Sequence, residues 1–164
     1  MRTRSTPRND GSEAPDGGLT FPGPTFDGRL PASTKTSARM ARTGRRDTKP
    51  ELELRRALHA RGFRYRVDRS VLAGVRRRPD IVFGPARLVV FVDGCFWHGC
   101  PEHATWPTNN ADFWREKIEA NRLRDRDTDR RLAEAGWAVV RVWEHEDAEA
   151  AADRVARHLC RHRN

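Results

Sequence analysis

Two hydrophobic rhythms alternate along the chain from residue 48 onward, and their order predicts its elements. Leu54, Ala57 and Leu58 recur at helical spacing behind Thr48-Lys-Pro-Glu51, which reads as a capping box with Thr48 as cap and Glu51 reaching back to its amide. Gly62 ends that helix. Phe63-Arg-Tyr-Arg-Val67 alternates apolar and polar, the pattern of a half-buried strand. A basic turn, Gly74 to Arg78, leads into a second strand at Pro79-Asp80-Ile-Val-Phe83, which Gly84-Pro85 breaks. Arg87-Leu-Val-Val-Phe-Val92 is a continuous apolar run, as expected of a central strand covered on both faces. A long helix capped by Asp112 carries Trp114, Ile118, Asn121, Asp125, Thr128 and Leu132 on one stripe, and Gly136 stops it. Asn121 and Asp125 are polar members of an inward stripe, which points to a polar site on that face. Trp137 to Trp143 predicts a strand that delivers Glu144-His145 at its end, and Ala152, Val155 and Leu159 mark a last amphipathic helix. Helix, three strands, helix, strand, helix is an α/β order, with no internal repeat.

Composition changes the picture at the front of the chain. Residues 1–36 hold five of the ten prolines and five of the twelve glycines without apolar periodicity, so a disordered tail is expected there. Residues 37–47 form a basic arm (Arg39, Arg42, Arg45, Arg46) with one apolar residue, Met40, and residues 48–164 form one domain. The net charge is +9, carried mostly by arginine, whose planar fork suits phosphate; nucleic acid is the first partner to consider, a solvated basic surface the plain alternative. No apolar run approaches the length of a membrane span and no apolar segment follows the first basic residues, so a cytoplasmic protein is expected. Three cysteines in such a chain argue against a disulfide framework and leave metal binding open.

The chemistry concentrates in Asp93-Gly-Cys-Phe-Trp-His-Gly-Cys-Pro-Glu-His103. Cys95, Cys100, His103 and the distant His145 make a tetrahedral zinc set, each of which alone would be an ordinary thiol or imidazole. Cys160 falls on the apolar side of the last helix and reads as a buried small hydrophobe. Asp80, at a strand edge, is a natural hard-oxygen ligand for magnesium, or simply the residue that starts the strand. Phe96-Trp97 reads as a wedge that unstacks bases, or as packing around the zinc loop. His98 reads as a general base near neutral pH, or as a further metal ligand.

Arg46-Asp-Thr…Glu51, Arg78-Pro-Asp80, Val92-Asp-Gly-Cys-Phe-Trp-His98, Asp112-Phe-Trp-Arg-Glu-Lys-Ile118 and Gly136-Trp…Val142-Trp-Glu144 together resemble the very-short-patch repair (Vsr) endonuclease family. The resemblance spans roughly residues 37 to 146, and Gly-Cys-Phe-Trp-His is its most distinctive piece. It implies a restriction-endonuclease-like, PD-(D/E)xK-type core: a central mixed sheet flanked by helices, with a structural zinc site. It implies magnesium-dependent nicking of double-stranded DNA 5′ to the thymine of a T·G mismatch; a monomer, with mismatch-repair proteins as partners, is the separate expectation. By position it makes Asp80 the magnesium ligand with the main-chain carbonyl of Val92, His98 the catalytic histidine, and Glu51 the acidic residue near the metal-bound waters. Asp93, another acidic candidate for the catalytic set, stands where the family can carry a histidine. Phe96, Trp97 and Met40 match the intercalating wedge, and Trp114, Lys117, Arg39 and Arg42 complete the expected DNA contacts. The zinc ligand types are permuted relative to the family pattern, and no lysine follows the second acidic residue, so His98 is expected to take that lysine's work. Two other classes remain open: a restriction or phage-defence nuclease on the same core, and a zinc-stabilised DNA-binding protein without catalysis.

Overall fold

A computed structural model describes residues 46–104, 108 and 110–161. The tail and nearly all of the basic arm, with Met40, Arg39 and Arg42, lie outside the described residues. Six elements follow in order: α1 (Lys49–Ala60), β1 (Ile81–Phe83), β2 (Leu88–Asp93), α2 (Ala111–Glu134), β3 (Ala138–Trp143) and α3 (Ala148–Arg161). The sheet is mixed, in the order β1-β2-β3. β1 runs antiparallel to β2, with Ile81 opposite Val90, and β3 runs parallel to it, with Phe91 opposite Arg141. The apolar run of β2 is explained by its central place: Leu88, Val89, Val90 and Phe91 are all buried.

Alternation along the strands sorts the core into two layers. On one face Ile81, Phe83, Leu88, Val90, Val140 and Val142 pack against α1 (Leu54, Leu58) and α3 (Ala152, Val155, Leu159). On the other, Val82, Val89 and Phe91 meet Leu132 of α2. Both helices that precede an extended segment end in a Schellman motif. Gly62 (φ 81°) and Gly136 (φ 77°) take the left-handed conformation, and the amides of Phe63 and Trp137 reach back to Leu58 O and Leu132 O. Among the described residues, no helix is long and apolar enough to cross a membrane.

Several expectations are corrected. Phe63–Val67 is not a strand: one isolated bridge joins Arg66 to Val82. The alternation is nevertheless obeyed, because Phe63 and Tyr65 pack on the core while Arg64 and Arg66 face outward. At Asp68 the backbone turns to φ 48° and the segment leaves the sheet edge before a ladder can form. The capping box does not close, since Glu51 Oε2 accepts from the amide of Asp47 (2.9 Å) and the Thr48 hydroxyl donates to Glu51 Oε1 (2.9 Å). Asn110, not Asp112, precedes the first turn of α2. Cys160 is exposed, because the buried stripe of α3 runs through Ala151, Ala152, Val155 and Leu159.

Candidate active site and metal centre

Both groups of candidate functional side chains gather where β2 and β3 end. β2 ends at Asp93, and the next residues turn tightly: the Cys100 amide donates to Cys95 O (2.8 Å) and the His98 amide to Gly94 O (3.1 Å). Gly99 sits at φ 61°, where a Cβ would lie 2.9 Å from Ile118 Cγ2, so this turn needs glycine for conformation and for space. Two strand ends meet here, because the Glu144 amide donates to Asp93 O (2.9 Å) and the Cys95 amide to Glu144 Oε1 (2.7 Å).

That junction gathers the four zinc-set residues. One ligand atom each from Cys95, Cys100, His103 and His145 lie within 4.8 Å of one another. Cys95 Sγ is 3.1 Å and Cys100 Sγ 3.7 Å from His145 Nδ1, and Cys100 Sγ is 4.0 Å from His103 Nδ1. These separations bracket the ~3.4–3.8 Å edges of a tetrahedron built on metal–S and metal–N bonds of about 2.3 and 2.0 Å. Burial, together with the neighbouring Cys100 thiol, pushes the Cys95 thiol up to about 11. Two buried thiols held this close gain most from a bound cation, so the donor set fits a metal.

On the opposite side of the same loop the period-2 pattern puts Phe91, Asp93 and Arg141 on the α2 face. The Arg141 guanidinium lies over the Phe91 ring (4.8 Å) and binds both oxygens of Asp93 through Nη1 (2.8 Å each). Its Nε and Nη2 hold Asp129 (2.9 Å). Asp125, one turn earlier on α2, contacts His98 Nδ1 through Oδ2 (2.6 Å) and faces Arg77 Nη1 through Oδ1 (2.8 Å). Burial alone would raise Asp125, but the hydrogen bond from His98 and the charges of Arg141 and Arg77 outweigh it and hold the carboxyl below its usual range. His98 Nδ1 is also 3.7 Å from Asp93. Asp93 is buried and ion-paired with Arg141 in this structure. Arg122 and Asn121 of α2 fasten the loop, reaching the carbonyls of Gly99 (2.6 Å) and Trp97 (2.9 Å).

Asp80 stands one residue before β1, and its Oδ2 accepts from the Val92 amide (2.7 Å). Burial, then the nearby Glu51 and Asp93 carboxylates, raise it to about 6 against the lowering effects of that amide and of Arg55. A half-desolvated carboxylate among like charges is relieved by a cation, so the pocket fits a divalent ion at Asp80. Glu51 is buried and engaged, taking the Asp47 amide, the Thr48 hydroxyl and Arg55 Nη2 (3.0 Å).

Phe96 and Trp97 are half-buried at the loop crown, with ring centroids 5.1 Å apart. Trp114 is buried beneath them, 5.3 Å from Phe96 and 6.1 Å from Trp97, and so lies under the crown rather than at its surface. Lys117 Nζ sits 5.5 Å from the Trp97 and Trp114 rings. Sequence reasoning placed His98 and the metal set but left out Arg77, Asp129 and Arg141, and it noted Asp125 only as a polar member of a buried stripe. For Arg141 the signal emerges only from the pairing of β3 with β2, whose register puts it on the same face as Asp93.

Known proteins match along the same stretch. The family model described as DNA mismatch endonuclease Vsr matches residues 31–103. The type II nicking enzyme V.NaeI of Lentzea aerocolonigenes is 45% identical over 145 residues, covering 85% of this chain and 83% of that enzyme. The type II nicking enzyme V.XorIIP of Xanthomonas oryzae is 45% identical over 109 residues (65% and 77%). The DNA mismatch endonuclease Vsr of Escherichia coli is 40% identical over 112 residues (66% and 68%).

Proposed function

The chain belongs to the Vsr endonuclease family, and on that premise we propose that it nicks one strand of duplex DNA 5′ to the thymine of a T·G mismatch. Its α/β core fits the restriction-endonuclease-like fold of that family. The observation that carries the reading is the His98–Asp125 contact of 2.6 Å under the loop that bears Phe96 and Trp97, with the half-buried Asp80 carboxylate held at Val92 of the same strand end.

In this reading Asp125 fixes the imidazole tautomer: Nδ1–H donates to the carboxylate, which leaves Nε2 free to accept a proton from the attacking water. Asp125 then stabilises the imidazolium that forms, as the acidic partner does in a catalytic triad. Magnesium held by Asp80, with help from the Val92 carbonyl, would supply Lewis-acid stabilisation of the phosphate charge. Glu51 orders water at that edge through its charge. Zinc held by Cys95, Cys100, His103 and His145 would be a closed, structural site, which pins the loop to the end of β3. Phe96 and Trp97 open the duplex where pairing is weakest, with Trp114 as their backing and Lys117, Arg39, Arg42 and Met40 on the phosphates and the mismatched step. Asp93 serves this site as the anchor of Arg141 rather than as a catalytic group.

The test is nicking of T·G and T·A duplexes with identical flanks, each strand labelled in turn. Cleavage of the T-containing strand of the T·G duplex alone supports the reading. Equal rates on both duplexes, or double-strand cleavage of the matched one, would replace it with the restriction-type alternative.

A further inference from the structure

A cleft among the described residues lies away from this site. It encloses about 610 Å³ between Arg64, Arg66 and Arg69 on one side and Gly84 and Trp137 on the other, with Tyr65 in its wall. No carboxylate lines it. Gly84 follows β1 and Trp137 precedes β3, so the cleft opens at the end of the sheet opposite Asp93 and Glu144.

Its three guanidiniums differ from most arginines elsewhere on this surface. Arg61 is held by Glu149 and Asp153, Arg126 by Glu119, Arg130 by Asp127 and Glu134, and Arg154 by Glu146. Among the described residues, Arg64 makes one contact, to its neighbour's carbonyl at 3.3 Å, and neither Arg66 nor Arg69 has an acidic partner. All three are exposed. Arg64 and Arg66 point outward together because Phe63 and Tyr65 point inward, which sets them about 6–7 Å apart along an extended backbone. That is the order of the step between neighbouring phosphates on one strand.

The aromatic walls narrow the choice of ligand. The Tyr65 hydroxyl donates to Arg55 O (2.8 Å) and its ring packs edge-on against Phe83 (5.9 Å). Trp137 packs on the layer of Val82, Val89, Phe91 and Leu132. Both rings are partly held by core contacts, and the charged groups of the lining are three guanidiniums, so charge rather than stacking dominates what the cleft offers. We infer that this cleft is a second DNA contact, which binds the phosphate backbone of the substrate duplex some distance from the nick and reads no base. The inference rests on the nuclease reading for its ligand and adds to it a footprint. A six-residue strand spans about 20 Å, or roughly six base pairs, so the contact needs a flank of that length on one side of the nick.

The experiment measures binding, by anisotropy, of matched and T·G duplexes trimmed stepwise from either side, across a salt series. The proteins are wild type, the triple variant Arg64→Gln/Arg66→Gln/Arg69→Gln, and the charge-preserving triple lysine variant. Wild type should lose affinity once one flank falls below about six base pairs, and the glutamine variant should be indifferent to that trimming. On long duplexes its log–log salt slope should fall by about 2–3 and its affinity by at least about tenfold, with the lysine variant near wild type. Turnover at saturating DNA should not change, since none of the three touches the reacting centre. Identical slopes and length dependence in wild type and the glutamine variant would overturn the inference, as would a variant that loses only poly-glutamate binding, the mark of an acidic protein partner. A wild type that nicks neither duplex but keeps the slope difference would defeat the mismatch reading and leave this contact standing.

Discussion

At the scale of single residues the site divides into groups held in place by charge and groups that charge makes uncomfortable. Asp125 belongs to the first kind. Asp125→Asn keeps the shape but lets the side-chain amide turn its donor toward His98 Nδ1, which favours the wrong tautomer; kcat should fall by about 10³–10⁴ with duplex affinity within a few-fold of wild type. A single-turnover rate within tenfold of wild type would remove Asp125 from the mechanism. Asp80 is of the second kind. Its proton is bound more tightly in the folded protein than in the unfolded chain, with a folded value of about 6 against 3.8. The stability tied to the neutral carboxyl is therefore complete below about pH 4 and is lost as pH rises through 6. Asp80→Asn removes that loss. In magnesium-free buffer at pH 7.5 the variant should be more stable than wild type by about 1–3 kcal/mol, with the gap closing toward pH 4, while its nicking is abolished. Thermal melts that show no pH-dependent gap would sink this account. Asp80 and His98 were legible as residue types in a telling place. The Arg141 lattice was not, because a lone arginine in a strand declares nothing until its neighbour on the next strand is known.

At the scale of elements the sequence was most readable where periodicity and burial agree. β2, α2 and α3 follow their apolar patterns, and the glycines after α1 and α2 end them as expected. Reading failed where a local pattern met a competing partner: Glu51 was drawn into the Asp47, Thr48 and Arg55 contacts, and Phe63–Val67 had the alternation of a strand but only one bridge to pair with. The zinc set was legible in residue type, yet its closure depends on β3 lying parallel to β2, which brings His145 to Cys95 across fifty positions of sequence. A cross-link of that span should contribute strongly to folding. Metal analysis of the purified protein should return about one zinc per chain, and Cys100→Ala should release it and lower the melting temperature by ten degrees or more. His145→Ala is the sharper variant, since His145 lies nearest Cys95 and half exposed to competing water: zinc retained at unchanged affinity would assign the fourth ligand elsewhere. A folded, active preparation free of zinc would dismiss the centre altogether.

At the scale of the whole molecule, the proposed function places two tasks on one loop at one end of the sheet, opening the duplex and hydrolysing it, and the two should separate on mutation. The proposed hydrolytic group His98 faces α2 through Asp125, whereas Phe96 and Trp97 lie at the crown over Trp114. Unstacking a base step costs a few kcal/mol, and the cost falls where pairing is already distorted. An enzyme that relies on an aromatic wedge therefore gains most at a mismatch and least at a matched pair. Replacing Phe96 and Trp97 together by alanine removes that gain and leaves the His98–Asp125 contact and the surface arginines in place. The T·G nicking rate should drop by about 10²-fold or more, and non-specific duplex binding should keep its salt dependence, because that term belongs to phosphate contacts. The contrast with Asp125→Asn decides the matter. A duplex opened in advance, with an abasic site or a short bubble at the target step, should restore much of the rate to the alanine variant and none to Asp125→Asn. Rescue of both, or of neither, would mean that the crown aromatics serve only to pack the metal loop.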